Sequence, residues 1–269
     1  MRSKVLTVFA AAAVAGGLAA AAPASARTLP GGDRAQAATG TLIPAHKGEV
    51  LPLKGGTVDS LNWSGYAVTG SGITGVDGTF VVPTAGLDPP GFAATWAGIG
   101  GYSTSDLIQA GVEEDSVGGY NAWYEMLPAS ETPLSGCTGD SACTVNPGDD
   151  ITVDISNTGG SNWKISLTDA GHWSWSKTVS YSSSESSAEW ILEAPTLLVA
   201  QTLLANVGTV HFGPTSTYTQ GGSSHTIAEG NPTQIDLGLG VVNEATPSAL
   251  ASDGESFNDC AYAQSCPTP

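Results

Sequence analysis

Basic side chains are nearly missing from this chain. Of its 269 residues only eight are Lys or Arg, against 25 Asp or Glu, for a formal charge of −17. From Leu61 onward, Lys164 and Lys177 are the only Lys or Arg residues, set against 22 carboxylates, a net of −20. A surface of that sign repels phosphate backbones and anionic bilayers, so neither nucleic acid nor a membrane surface is an expected partner. The charge keeps an exported protein soluble, and it also suits acid. With two cations there is little ion pairing for protonation to break, and lowering the pH relieves self-repulsion.

Chemistry-bearing motifs are scarce as well. There is no Gly-x-Ser-x-Gly elbow, no Asp-Thr-Gly or Asp-Ser-Gly, and no His-Glu-x-x-His. This argues against serine, paired-aspartate and zinc hydrolases. His46, His172, His211 and His225 have no recognisable triad setting. The four cysteines form no C-x-x-C or Cys/His cluster, so no metal and no cofactor is expected. Cys137 and Cys143 sit in a Ser/Gly/Thr/Asp-rich loop, and Cys260 and Cys266 lie near the C-terminus. Of three possible pairings, the local one, Cys137–Cys143 with Cys260–Cys266, needs the least long-range geometry. It suits an oxidising compartment.

Long apolar runs are confined to the N-terminus. Arg2 and Lys4 precede an Ala-rich stretch from Val5 to Ala22 that ends at Ala24-Ser25-Ala26. Residues 1–26 therefore read as a secretory signal, and the mature protein is expected outside the cell, free of the membrane. Residues 27–60 carry Arg27, Arg34, Lys47 and Lys54 against Asp33, Glu49 and Asp59, and read as a propeptide or linker. A basic segment beside an acidic domain can dock on it and be released as carboxylates protonate. Residues 61–269 form the remaining domain, expected to be monomeric.

That domain is β in pattern. Runs rich in Val, Ile, Thr, Tyr and Trp are punctuated by Gly, Pro, Asn, Asp and Ser, placing strands at 62–69, 74–82, 92–99, 106–113, 119–127, 151–157, 161–168, 172–180, 187–193 and 207–212. More strands are expected between 224 and 244. A hairpin is expected around Asp169-Ala170-Gly171, and the one helix candidate is Thr196 to Ala205. This length suits a single antiparallel two-sheet β-sandwich.

Two strands stand out. In Asp106-Leu107-Ile108-Gln109-Ala110-Gly111-Val112, the period of two puts Gln109 on a face with Leu107 and Gly111. In Ser187-Ala188-Glu189-Trp190-Ile191, Glu189 points away from Ala188 and Trp190. A carboxylate among apolar residues is costly to bury without a purpose. An amide and a carboxylate on one cleft suffice to add water to a carbonyl: the carboxylate takes the proton and the amide N–H binds the oxyanion. Asn121, Trp123 and Glu125 share a face of a neighbouring strand, and Trp96 supplies a cleft wall, an indole N–H bond or core packing. Glu125 is expected near Glu189, where two close carboxylates would share a proton.

These strands resemble the signature segments of the glutamic peptidases, the eqolisins. Asn62-Trp63-Ser64-Gly65-Tyr66-Ala67-Val68, Trp96-Ala97-Gly98-Ile99, Tyr120-Asn121-Ala122-Trp123-Tyr124-Glu125 and Ala205-Asn206-Val207-Gly208-Thr209-Val210 match in the family's order, over roughly residues 61 to 260. The resemblance implies a lectin-like sandwich and an acid endopeptidase acting on proteins or peptides. It also implies an oxyanion role for Gln109 and water activation by Glu189. Two positions depart from the family: Gly100 and Asn121 stand where it has Asp. The rival readings are a retaining glycoside hydrolase using Glu125 and Glu189, which needs carboxyls about 5–5.5 Å apart, and a carbohydrate-binding module.

Overall fold

The computed structural model describes residues 57–197, 200–238 and 243–269. Its strands, in chain order, are β1 (Thr57–Ser60), β2 (Trp63–Thr69), β3 (Ile73–Val81), β4 (Ala94–Gly100), β5 (Leu107–Asp115), β6 (Gly119–Met126), β7 (Thr132–Pro133), β8 (Asp150–Gly159), β9 (Asn162–Asp169) and β10 (Trp173–Ser180). There follow β11 (Ser187–Glu193), β12 (Thr196–Leu197), β13 (Ala200–Gln201), β14 (Thr209–Phe212), β15 (Thr217–Gln220), β16 (Ser223–Thr226), β17 (Thr233–Gly238), β18 (Asn243–Pro247) and β19 (Phe257–Ala261). Among the described residues a single 3₁₀ turn occurs, at Ile227–Gly230, opened by a capping box between Thr226 and Glu229.

Hydrogen bonding divides these strands into two layers. The first runs β7-β6-β5-β4-β11-β2-β17, with β1 added in parallel on the other edge of β17. The second runs β10-β9-β8-β3, and the far edge of β3 is shared by β15 with β16 and by β14 with β19 and β18. The β17–β18 pairing, with its register shift at Leu237/Gly238, joins the layers into one continuous ladder. The expected antiparallel sandwich is thus what forms.

The period of two builds the core. Ile108, Ala110 and Val112 of β5 and Ala188, Trp190 and Leu192 of β11 turn inward, against Phe80, Ile151, Val153, Ile165 and Leu167 of the second layer. Trp190 spans the gap, its Nε1 donating to the Asp77 carbonyl of β3 at 2.8 Å. Cys137 is bonded to Cys143 and Cys260 to Cys266, the local pairing. The hairpin at Asp169-Ala170-Gly171 is present, with Asp169 paired to Trp173.

Two expectations need correction. No helix runs from Thr196 to Ala205: β12 and β13 pair there, and Leu204 bridges Phe92. A ten-residue helix has little intrinsic stability, and burying Leu204 and Ala205 beside Phe92 outweighs it. The segment 27–60 is also not wholly linker, because Thr57 to Ser60 form β1. Buried Ser60 accepts from the Asn62 and Trp63 backbone N–H groups through Oγ.

Trp190→Ala removes a fully buried indole and the bond that ties the layers together. It is expected to cost about 3–5 kcal/mol in chemical denaturation. A loss below about 1 kcal/mol would show that the layers do not depend on this contact.

Candidate active site

The face of the first layer that points away from the core carries the polar pair. In β5–β4 Gln109 pairs with Gly98, and in β4–β11 Gly98 pairs with Glu189. Directly paired residues project to the same side, so the amide and the carboxylate stand in one row, their Cα atoms about 10 Å apart. Between them lies a residue with no side chain. Even a methyl group at position 98 would press on Gln109 Cβ, the Ile108 carbonyl oxygen and Leu107 Cδ1, each at 3.1 Å. The side chains of Gln109 and Glu189 can therefore lean over Gly98 toward a common point.

Extended outward, the row reads Glu125 (β6), Gln109, Gly98, Glu189, Ala67 (β2). Gln109 Nε2 donates to Glu125 Oε2 at 2.6 Å. Glu125 therefore anchors the amide and does not pair with Glu189, contrary to the sequence expectation. Two strands separate the two glutamates, and the alternating pattern of one strand carries no information about strand order. Gln109 is 1% exposed and Glu189 is 0% exposed, and Gln109 Oε1 and both Glu189 carboxylate oxygens lack a hydrogen-bond partner of good geometry. The polar groups that bear on Glu189 are the Ser187 hydroxyl and the Tyr102 backbone N–H.

The next rows are aromatic and acidic. Ile191, Trp96, Gly111 and Trp123 form one; Glu193, Ala94, Glu113 and Asn121 form the other. Trp96 Nε1 donates to Glu193 Oε2 at 2.8 Å and Asn62 Nδ2 to Glu193 Oε1 at 3.2 Å, while Trp63 packs edge-on against Trp96. Of the three roles expected for Trp96, the indole bond and core packing are both observed: it is fully buried in a cluster with Trp63, Trp123 and Ile191. Its acceptor, Glu193, is not among the residues the sequence singles out. The signal for it is its place four residues after Glu189, on the same face. Trp123 is buried beside the pair, whereas Asn121 is exposed at the rim opposite Glu113.

Burial dominates the electrostatics. It pushes Glu189 well above the ordinary glutamate value, with the like charge of Asp106 adding to it and the Ser187 and Tyr102 groups opposing. Burial lifts Glu125 to about 9, against the Gln109 bond, and Glu193 to about 8, against the Trp96 and Asn62 bonds. On the core side, burial also raises Glu114 and Asp259, although Asp259 Oδ1 accepts from Ser64 Oγ at 2.8 Å.

A separate cluster lies at the β9–β10 turn. Asp149, Asp169 and His172 bring three donor atoms within 4.8 Å of one another, with Asp169 Oδ1 3.0 Å from His172 Nδ1. These residues could hold a cation, and they share no strand of the first layer.

Solved structures similar to this chain include scytalido-glutamic peptidase bound to a transition-state analog inhibitor. It is similar at a TM-score of 0.61 and 22% identity, over 75% of this chain and 98% of that one. A second, SCP-B, a member of the eqolisin family, in complex with the tripeptide Ala-Ile-His, gives 0.58 and 20% over the same shares. Both likenesses establish the eqolisin-type sandwich. Among curated relatives, Aspergillopepsin-2 of Aspergillus niger is 29% identical over 227 residues, covering 72% of this chain and 77% of the relative. Scytalidopepsin B of Scytalidium lignicola is 32% identical over 115 residues, 42% of each chain. The Peptidase A4 family model matches residues 61–253, and the chain belongs to that family. It is a peptidase of the glutamic type, with proteins or peptides as substrates.

The raised carboxyls fix how stability responds to pH. Their folded pKa values exceed the unfolded ones, so the folded state holds more protons above about pH 4. Their stabilising contribution is complete below that point and is lost as pH rises through about 6 for Asp77, about 8 for Glu193 and about 9 for Glu125. The melting midpoint is expected to fall from about pH 5 to about pH 9, and to fall less steeply in Glu193→Gln. A midpoint that climbs across this range would overturn the assignment.

Proposed function

We propose that this protein is a secreted endopeptidase in which Glu189 activates water and Gln109 stabilises the oxyanion. The observation that carries the reading is the row Gln109–Gly98–Glu189, which puts an amide and a carboxylate on one face, either side of a residue with no side chain. Ionised Glu189 removes a proton from a water, whose oxygen attacks the scissile carbonyl carbon. One Gln109 Nε2 hydrogen stays on Glu125, and the other donates to the carbonyl oxygen as its negative charge develops. The carbonyl then reforms, the C–N bond breaks, and protonated Glu189 passes its proton to the leaving amine. No covalent intermediate forms.

Trp96 and Trp123 stand buried in the neighbouring row and support the cleft floor from beneath, while Asn121 is exposed one row further on. Residues 1–26 act as the secretory signal. The segment from 27 is a propeptide or linker that ends before β1, since the folded domain includes Thr57. The glycosidase reading loses ground: Glu125 and Glu189 are separated by β5 and β4, and Glu125 is engaged with Gln109.

Glu189→Gln removes the base, and turnover of denatured casein should fall at least about 10²-fold with the circular dichroism spectrum unchanged. Gln109→Ala removes an oxyanion donor and should cost about 10²–10³ in kcat. Near wild-type rates in Glu189→Gln would end this reading.

The raised Glu189 pKa also sets the acid limit. The base form is lost as pH falls through that value, so kcat/KM should decline on the acid side with a midpoint above about 4.3, the value for a free glutamate. Full activity at pH values near 3 would contradict a buried glutamate base.

A further inference from the structure

The three donors at the β9–β10 turn sit on fixed backbone. Asp169 closes β9, paired with Ile151 of β8 and Trp173 of β10, and it shares the core-side face of Ile165 and Leu167. It is therefore buried, at 1% exposure. His172 stands in the turn, its N–H donating to the Asp169 carbonyl at 3.0 Å while its imidazole is exposed. Asp149 immediately precedes β8. Its carbonyl accepts from Val82 N–H at 2.9 Å and its Oδ2 from Asn146 N–H at 2.6 Å, so its Oδ1 is the oxygen nearest His172.

We propose that Asp149, Asp169 and His172 form a binding site for a divalent transition cation of the Zn²⁺ class, which ties the start of β8 to the β9–β10 turn. His172 Nδ1 lies 3.0 Å from Asp169 Oδ1 and 3.8 Å from Asp149 Oδ1. Ligand atoms about 2.1 Å from a tetrahedral zinc stand about 3.4 Å from one another, between those two separations. One imidazole and two carboxylates suit zinc, whereas calcium and magnesium take oxygen sets. The exposed imidazole edge gives the ion a way in, and three protein ligands leave a fourth position for water.

Asp169 distinguishes this cluster from an ordinary surface ion pair. Its Oδ1 is engaged by His172, but its Oδ2 is buried with no hydrogen-bond partner. The side chains that bear on this carboxyl are His172 and a second carboxyl, that of Asp149; neither Lys164 nor Lys177 is among them. An imidazolium carries one positive charge against two adjacent carboxylates, and an unpaired buried carboxylate is costly. A dication balances both and binds where no N–H or O–H reaches. The expectation of no metal rests on cysteine and histidine spacing. This set is mostly carboxylate, and the β8–β9 pairing assembles it from two separate turns. It belongs to the second layer, away from Gln109 and Glu189, so the ion acts on stability and leaves the peptidase chemistry alone.

Zinc chloride is titrated into the purified protein at neutral pH, because protons compete for metal ligands in acid. Calorimetry should give one zinc per chain at this site, removable by EDTA. The melting midpoint should rise by about 5–10 °C with zinc at about 100 times its Kd. His172→Ala removes an exposed ligand, and should weaken binding at least about tenfold and cancel most of the rise, with casein turnover retained. His225→Ala, at the contact of His225 Nδ1 with Glu229 Oε2 at 3.6 Å, should bind zinc like wild type. Absence of saturable zinc binding, or equal binding by His172→Ala, would overturn the proposal. Loss of turnover in folded His172→Ala would overturn the separation from the active site. Should that variant not fold, ¹⁵N NMR of the wild-type imidazoles decides: His172 Nδ1 must shift on adding zinc, and an unmoved signal would overturn the site.

Discussion

The register of three strands, β5, β4 and β11, is the constraint on which this molecule's chemistry depends. Pairing of Gln109 with Gly98 and of Gly98 with Glu189 puts the amide and the carboxylate on one face with a gap of one strand. A slip of one residue in either pairing would send Ile108 or Ala188 to that face and turn the polar side chain into the core. The core enforces the register in return. Ile108, Ala110, Trp190 and Leu192 are fully buried between the layers, and each alternates with a residue of the active-site face. Packing energy on one side of the sheet thereby fixes the Gln109–Gly98–Glu189 row on the other.

That division separates what is legible in the sequence from what is not. Period-two alternation within a strand is local, so the facing of Gln109, Glu189, Trp123 and Glu125 is written in the strands themselves. Strand order is not, and this is why Glu125 is expected beside Glu189 yet pairs across β5–β6 with Gln109, on the far side. Glu193 is inconspicuous in the sequence for a related reason. Its place in the site comes from Trp96 and Asn62, partners distant in sequence. The stretch from Thr196 is ambiguous because its apolar composition suits a buried helix and a buried extended segment equally. Pairing of Leu204 with Phe92 decides between them.

Two ways of holding a carboxyl coexist in this domain. Glu114, Glu189 and Asp259 are fully buried with at least one oxygen lacking a partner, an arrangement that favours the protonated form. Asp106 receives donors and stays charged. The difference is set by the supply of N–H and O–H groups, since cations are nearly absent. A chain with two lysines in this domain cannot neutralise its interior acids with salt bridges. Protons take that role.

Acid is therefore part of the structure. A protonated glutamic acid is a compact donor and acceptor whose burial costs far less than that of a carboxylate. In that form Glu125 and Glu193 sit beside Gln109 and Trp96 as ordinary polar side chains. Raising the pH charges them in place, next to each other and to Glu131, with no cation among their named neighbours. In the proposed mechanism Glu189 is held to the opposite requirement, because it must lose its proton to act as the base. One physical term, the burial of carboxyls on this sheet, thus acts on both: it holds the proposed base protonated and strains the fold as pH rises.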